Sequence, residues 1–392
     1  NPAVMTSHAA SVTRSATSLL TSRLAVAGIA LLFLGVSARL LTVEEMAVFA
    51  VYNTLCGLLT VVCSLGLLTT CLRLLPGFLA RAGADGTRQA GKLLRFAMIV
   101  YVSGALFGTL TGWSAAEPLA RLFLKDAAYA SDLRAAALAA FAFGLYEASQ
   151  LLLSGLQRFG AVSRYNVATA LSQRVISLGL FFPFGLKGYL AGFALGSLAG
   201  AALGFSRMRP LLKTPSADAN DSPGAAGPGA WLAYSMPFYA DGYLRYFYMH
   251  ADQLLVGVFL SPGDLSVYFI AKRFIQYGQV LVSSLVDPLT TKVAEIGQVD
   301  AGALPGAYGS SKRYFILLFV PLAVFLACLS PFLMTIVGGD RYLAGVAPLA
   351  LLFLSLPFFA IFSHTTSFLY ALGAPSERLR TNLVSSGTQA MG

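Results

Sequence analysis

The chain has 392 residues, 57% of them hydrophobic and only 11% charged, against about 25% charged in soluble domains. A soluble globule of this size would lack the polar residues to cover its surface, which excludes a cytosolic enzyme, a nucleic-acid binder and a secreted disulfide scaffold. The 27 Lys and Arg against 17 Asp and Glu are therefore set against a bilayer before any polyanion.

A helix crossing ~30 Å of hydrocarbon needs about 20 apolar residues. Between polar and Pro/Gly breaks, such segments fall at 15–38, 47–71, 94–115, 136–156, 163–183, 186–205, 232–258, 266–290, 313–336 and 347–371. An eleventh opens near Arg380 and is still unfinished at Gly392. The first segment has signal-peptide features in Arg14, an apolar run and Val36-Ser37-Ala38, but its second-half counterpart marks it as a retained span. The ten-residue alternation of an outer-membrane barrel is missing. The expected class is an all-α polytopic membrane protein.

Charge gives the expected orientation. With the N-terminus in the cytoplasm, 17 basic residues, among them Arg14, Arg73, Arg81 and Lys213, fall on that side. The other side receives six: Arg39, Arg121, Lys125, Arg134, Lys187 and Arg341. This is the positive-inside bias, and it accounts for much of the basic balance without nucleic acid. Cys56, Cys63, Cys71 and Cys328 lie in apolar stretches without metal-ligand spacing and read as packing residues. His8, His250 and His364 are scattered, and the Gly/Pro cluster at 222–229 reads as a linker.

The chain repeats itself at an offset of about 216–219 residues. Arg164, Asn166 and Gln173 recur as Arg380, Asn382 and Gln389; the stretch from Leu41 to Phe49 parallels that from Leu260 to Tyr268; Asp126 and Tyr129 match Asp340 and Tyr342. An even helix number per repeat gives two parallel lobes of six helices. The expected division is an N-lobe at 1–206 with helices one to six, a cytoplasmic linker at 207–230, and a C-lobe at 231–392 with helices seven to ten and the start of eleven. The repeat calls for an eleventh and a twelfth helix, so the second lobe is truncated in this chain.

Ser64-Leu65-Gly66-Leu67, Arg73-Leu74-Leu75-Pro76 closing helix two, Asp252 to Gly257, Ser261-Pro262, Val267-Tyr268 and Ala271 carry a resemblance to a known family. In these the chain resembles the polysaccharide-transporter branch of the MOP (multidrug/oligosaccharidyl-lipid/polysaccharide) superfamily. The resemblance covers nearly the whole chain and implies a MATE-like architecture. It also implies a non-enzymatic flippase for O-antigen or exopolysaccharide repeat units, working by alternating access in a bacterial inner membrane. Its apolar motifs specify a family better than a substrate.

Ionisable residues remain inside the spans: Arg23, Glu147, Arg174, Asp241, Arg245, Asp252, Lys272, Arg273 and Asp287. At ~2.5–3.5 kcal/mol each in the bilayer centre, they must face protein or water. Asp241, Arg245, Tyr248 and Asp252 share one face of helix seven at i, i+4, i+7 and i+11. Lys272, Gln276, Gln279, Ser283 and Asp287 make a similar stripe on helix eight. Asp252 and Lys272 lie at equal depth about the turn at Pro262, as do Glu147 and Arg174 about Gly160, and both pairs read as charge pairs or gating groups. Arg23 reads either as a cavity residue or as one snorkelling to the interface. Gly188, Gly192, Gly196, Gly200 and Gly204 form a small-residue ridge expected to pack helix six closely.

Guanidiniums facing a cavity suit a diphosphate, which they hold in bidentate fashion. The expected binding set is Arg23, Arg245 and Arg273 with Asp241, Tyr248, Gln276 and Gln279. The expected cargo is a polyprenyl-diphosphate-linked oligosaccharide moved from the cytoplasmic to the periplasmic leaflet. Membrane lipids, and the polymerase and chain-length machinery of the same pathway, are the expected partners. No cofactor is expected, and the driving force stays open between a H⁺ or Na⁺ gradient and downstream consumption. A multidrug/cation antiporter is the alternative transporter, but its cavity should be acidic. Here Arg245, Lys272 and Arg273 outnumber Asp241 and Asp252. A membrane-embedded polymerase would need a large external loop, and the longest external stretch, 117–135, is short.

Overall fold

The computed structural model describes residues 21, 25–80, 84–156, 159–212, 227–299, 302 and 304–371, which are helices and short turns without a strand. In chain order they are α1 (Ala25–Leu40), α2 (Val43–Ser64), α3 (Leu67–Ala80), α4 (Ala84–Ser114), the short α5 (Ala116–Leu119), α6 (Ala130–Gly155), α7 (Phe159–Leu212), α8 (Pro228–Phe259), α9 (Pro262–Val299), α10 (Leu304–Gly338), α11 (Val346–Leu354) and α12 (Leu356–Ala371). Six helical stretches are long and apolar enough to cross a membrane. α8 and α9, the two helices with the charged stripes, fall outside that set.

The repeat motifs turn out to be helix starts. Before α2, Thr42 N–H donates to Glu45 Oε2 at 2.8 Å and Glu45 N–H donates to Thr42 Oγ1 at 3.1 Å. Before α9, Ser261 and Asp264 make the same exchange at 3.2 and 3.1 Å, with Pro262 at the first helical position. Each is a capping box, which satisfies donors that a helix start leaves open. The second pair of matches is a 3-10 turn in both cases: Ala127–Tyr129, capped by Asp126, and Asp340–Gly345. The third match, at Arg380 to Gln389, lies outside the described residues.

Two expected spans are broken. The segment 47–71 divides at Leu65 and Gly66, whose φ values are 44° and 73°, a conformation that ends α2. Gly66 suits the site because a side chain there would strike the carbonyl of Ser235. The segment 347–371 divides at Ser355, where α11 stops, and Pro357, the second residue of α12, falls in the first turn, where no N–H has a partner within the helix. α7 is two helical arms, each a span, joined at a non-helical residue. It doubles back at Gly185 (φ 60°), so that Gln173 Nε2 donates to Ser197 Oγ at 2.9 Å and Tyr165 to the Gly200 carbonyl at 2.8 Å.

The glycine ridge explains how closely these arms meet. An added Cβ at Gly188, Gly192 or Gly196 would collide with the backbone of Leu180, Ser177 or Gln173, and at Gly200 and Gly204 with Thr169 and Ser149. In lipid, such close approach replaces the hydrophobic effect as the source of helix association. Cys56, Cys63 and Cys71 are buried, whereas Cys328 is exposed.

The chain forms two compact units, one of residues 1–47 with 259–392 and one of residues 48–258. In the first, α1 packs with the later helices: Gly35 faces Val337, and Arg39 Nη2 donates to the Ile336 carbonyl at 2.7 Å. In the second, α8 packs with the earlier helices, and Trp231 joins the core of Leu67, Leu75, Leu93, Leu94 and Leu152.

Candidate functional site

The orientation of α8 is fixed by its buried edge, Trp231, Ser235, Tyr246, Gln253 and Gly257. Tyr246 donates its hydroxyl to the Thr54 carbonyl of α2 at 2.7 Å. Gln253 Nε2 reaches Thr54 Oγ1 at 2.9 Å and the Ala50 carbonyl at 3.3 Å. Successive residues of a helix point about 100° apart, so seating Tyr246 turns Arg245 away from α2. Arg245 is exposed, and Asp241, Tyr248 and Asp252 are half-buried. The stripe is thus carried on one flank of a helix whose neighbouring edge is bolted down.

Toward the N-terminal end of α8, Arg73 of α3 lies over the ring of Phe238, its guanidinium carbon 4.7 Å from the centroid, in a cation–π contact.

On α9, Lys272 is buried and Gln276 and Gln279 are half-buried. Arg273 is folded along its own helix: Nη1 donates to Gln276 Oε1 at 2.9 Å, and the guanidinium sits 4.8 Å from the Phe269 ring centroid. Asp252 belongs to one compact unit and Lys272 to the other. Arg23 and the side chain of Asp287 lie outside the described residues.

Glu147 of α6 is half-buried. Arg174 of α7 donates Nη1 to the Ala170 carbonyl one turn back, at 2.9 Å. The hydroxyl of Tyr146 is within electrostatic reach of both, and those of Tyr101 and Tyr165 are within reach of Glu147. Glu147 and Arg174 therefore both lie near Tyr146 in the compact unit of residues 48–258. Ser149 Oγ, 2.6 Å from the Tyr165 hydroxyl, ties α6 to α7 at the same place.

Sequence reasoning passed over Tyr246, Gln253 and the role of Arg73 on Phe238. Tyr246 and Gln253 stand at i and i+7, a one-face spacing that was available as a signal. Their partner residues were not.

The family model described as polysaccharide biosynthesis protein matches residues 36–347, and no relative of matching sequence is found among curated proteins. Among solved structures, the chain is similar to an inward-facing multidrug resistance MATE family transporter of the MOP superfamily, with TM-score 0.71 and 14% identity over 95% of this chain and 87% of the other. It is similar to the lipid II flippase MurJ in an inward closed conformation, with TM-score 0.67 and 15% identity over 91% and 76%. A MATE transporter of Vibrio cholerae gives TM-score 0.67 and 13% identity over 97% and 87%. Identities this low establish the fold alone, a MATE-like one. With its long apolar helices and a family match over most of its length, the chain is a multi-pass membrane protein that belongs to the polysaccharide biosynthesis protein family.

Proposed function

We propose that the chain flips polyprenyl-diphosphate-linked oligosaccharide from the cytoplasmic to the periplasmic leaflet of a bacterial inner membrane, with its N-terminus in the cytoplasm, by alternating access and without catalysis. The observation that carries this reading is Arg245, exposed near the middle of α8 in a member of a polysaccharide biosynthesis family. It stands roughly 20 Å from either end of the helix at 1.5 Å per residue, a distance no snorkelling side chain covers. A guanidinium there needs a water-filled path and suits a diphosphate. Asp241, one turn away, is the carboxylate the guanidinium exchanges for phosphate. Tyr248, on the same flank of α8, meets the sugars, and Glu147 and Arg174, in the same compact unit, pair or gate. Solved MATE transporters have this fold too, but a cation exporter calls for an acidic cavity, whereas Asp241, Asp252 and Asp287 on α8 and α9 do not outnumber Arg245, Lys272 and Arg273.

The test is accumulation of lipid-linked repeat units on the inner leaflet at matched protein levels. Arg245→Ala should accumulate them. Arg245→Lys keeps the charge but loses the planar fork, and should fall between Ala and wild type. Normal transport by Arg245→Ala would make this arginine structural and remove the anion site from the argument.

A further inference from the structure

The flank that carries Asp241 and Arg245 continues toward the start of α8 with two aromatic residues. Phe238 and Tyr234 stand at i−3 and i−7 from Asp241, so all four share one face. The two rings are 5.6 Å apart at 68°. Arg73 covers Phe238 from α3, and Tyr234 is 44% exposed. The start of α3 is held against this part of α8 at Gly66, where backbone meets the Ser235 carbonyl. An open ring, a second ring with a stacked guanidinium, and a carboxylate one turn on therefore sit together within one compact unit.

This combination matches a sugar better than either of the simpler ligands. A diphosphate calls for guanidiniums and gains nothing from rings. An apolar drug calls for rings and leaves Asp241 without a role. A pyranose has an apolar C–H face that packs on the electron-rich face of an aromatic ring. It also has a rim of hydroxyls that both donate and accept, which Asp241 and Arg73 match with charge-assisted hydrogen bonds. The spacing fits as well. Phe238 and Tyr234 lie ~10 and ~16 Å along the helix from Arg245, at 1.5 Å per residue, a separation that a di- or trisaccharide extending from the diphosphate spans.

We propose that Tyr234, Phe238, Arg73 and Asp241 form a sugar-recognition subsite that holds the oligosaccharide while Arg245 holds the diphosphate. The proposal rests on the flippase reading and adds to it the part of the molecule that senses the glycan. It makes Tyr234 the open stacking platform and Arg73 the residue that orients Phe238 and meets sugar hydroxyls.

The experiment uses the full chain in nanodiscs with two probes: the lipid-linked oligosaccharide pool extracted from the producing cell's membranes, and bare polyprenyl diphosphate. A lost aromatic stacking contact is worth about a tenfold change in affinity. Tyr234→Leu should weaken binding of the glycosylated pool by about that factor and leave the bare lipid unchanged. Tyr234→Trp should keep both, and Phe238→Leu, which also unseats Arg73, should lose at least as much as Tyr234→Leu on the glycosylated pool alone. Melting temperatures matched to wild type establish that each variant is folded. Unchanged binding of the glycosylated pool by Tyr234→Leu would make Tyr234 an interfacial anchor and overturn the subsite. Equal losses on both probes would do the same. Failure of the wild-type chain to bind bare polyprenyl diphosphate would instead overturn the flippase reading on which the subsite rests.

Discussion

On α8, Tyr246 and Gln253 turn their polar atoms toward α2, from which they are 192 and about 200 positions distant in the chain. Their hydrogen bonds set the rotation of the helix, and so decide that Arg245 is exposed and Asp241 half-buried on the flank turned away from α2. Interhelical hydrogen bonds of this kind average about 0.6 kcal/mol and reach about 1.7 kcal/mol in membrane proteins. Gln253→Leu should therefore destabilise the protein by roughly 1 kcal/mol, read as a lower melting temperature in detergent, and Tyr246→Phe by a similar amount. An unchanged melting temperature in both would show that packing alone orients α8. The charged stripe was legible in the sequence because ionisable groups at i, i+4, i+7 and i+11 stand out on an apolar helix. The pins that aim it were not, since periodicity on one helix says nothing about which residue of a distant helix receives the bond.

At the level of elements, α7 shows most directly what residue spacing can specify. Glycine at every fourth position from Gly188 to Gly204 announces a ridge, and the structure supplies its partners, the preceding arm of α7 and, at Gly204, Ser149 of α6. Gly196→Val would force a side chain against the backbone of Gln173, which has no rotamer with which to yield. Overpacking of this kind costs about 1–3 kcal/mol or more, so the variant should lose folded protein in a detergent-solubility and melting assay. Gly179→Ala, where nothing lies within 4 Å, should melt like wild type. If both variants behave alike, close packing of the arms is not what holds α7 together. The capping boxes before α2 and α9 were legible only as a repeat of letters, and their chemistry became clear from the donors they satisfy. The break at Leu65 was not legible at all, because a leucine with positive φ has no sequence signature. A tertiary contact, that of Gly66 with Ser235, is what makes the break compatible with the fold.

For the whole molecule, three of the six basic residues expected outside the cytoplasm have specific work. Arg39 caps the carbonyl of Ile336 near the end of α10. Lys125 bonds the carbonyls of Leu122 and, at 2.5 Å, Val258 near the end of α8. Arg121 pairs with Glu117 at 2.6 Å. Cations at helix C-termini offset the partial negative charge of the last carbonyls, so Arg39 and Lys125 serve helix ends. The orientation itself is open to test with single cysteines in a background lacking the native four. Positions Arg81 and Ser216 should be labelled only by reagents that reach the cytoplasm, and Tyr129 and Gly263 from outside. Reversed labelling would invert the topology and the proposed direction of transport with it.

The seating of α1 among the later helices also has a consequence for how the protein is made. Arg39 and the carbonyl it caps are separated by 297 positions. At a synthesis rate of ~5–20 residues per second, the ribosome needs about 15–60 s to cover that distance. Throughout that time α1 has emerged while its packing partner has not. A short helix of Ala25–Leu40 must wait in the bilayer without its neighbour, in the care of the insertion machinery or of lipid alone. Assembly of the unit that contains it is therefore a late event, completed only when the second repeat arrives to receive a helix translated 297 positions earlier.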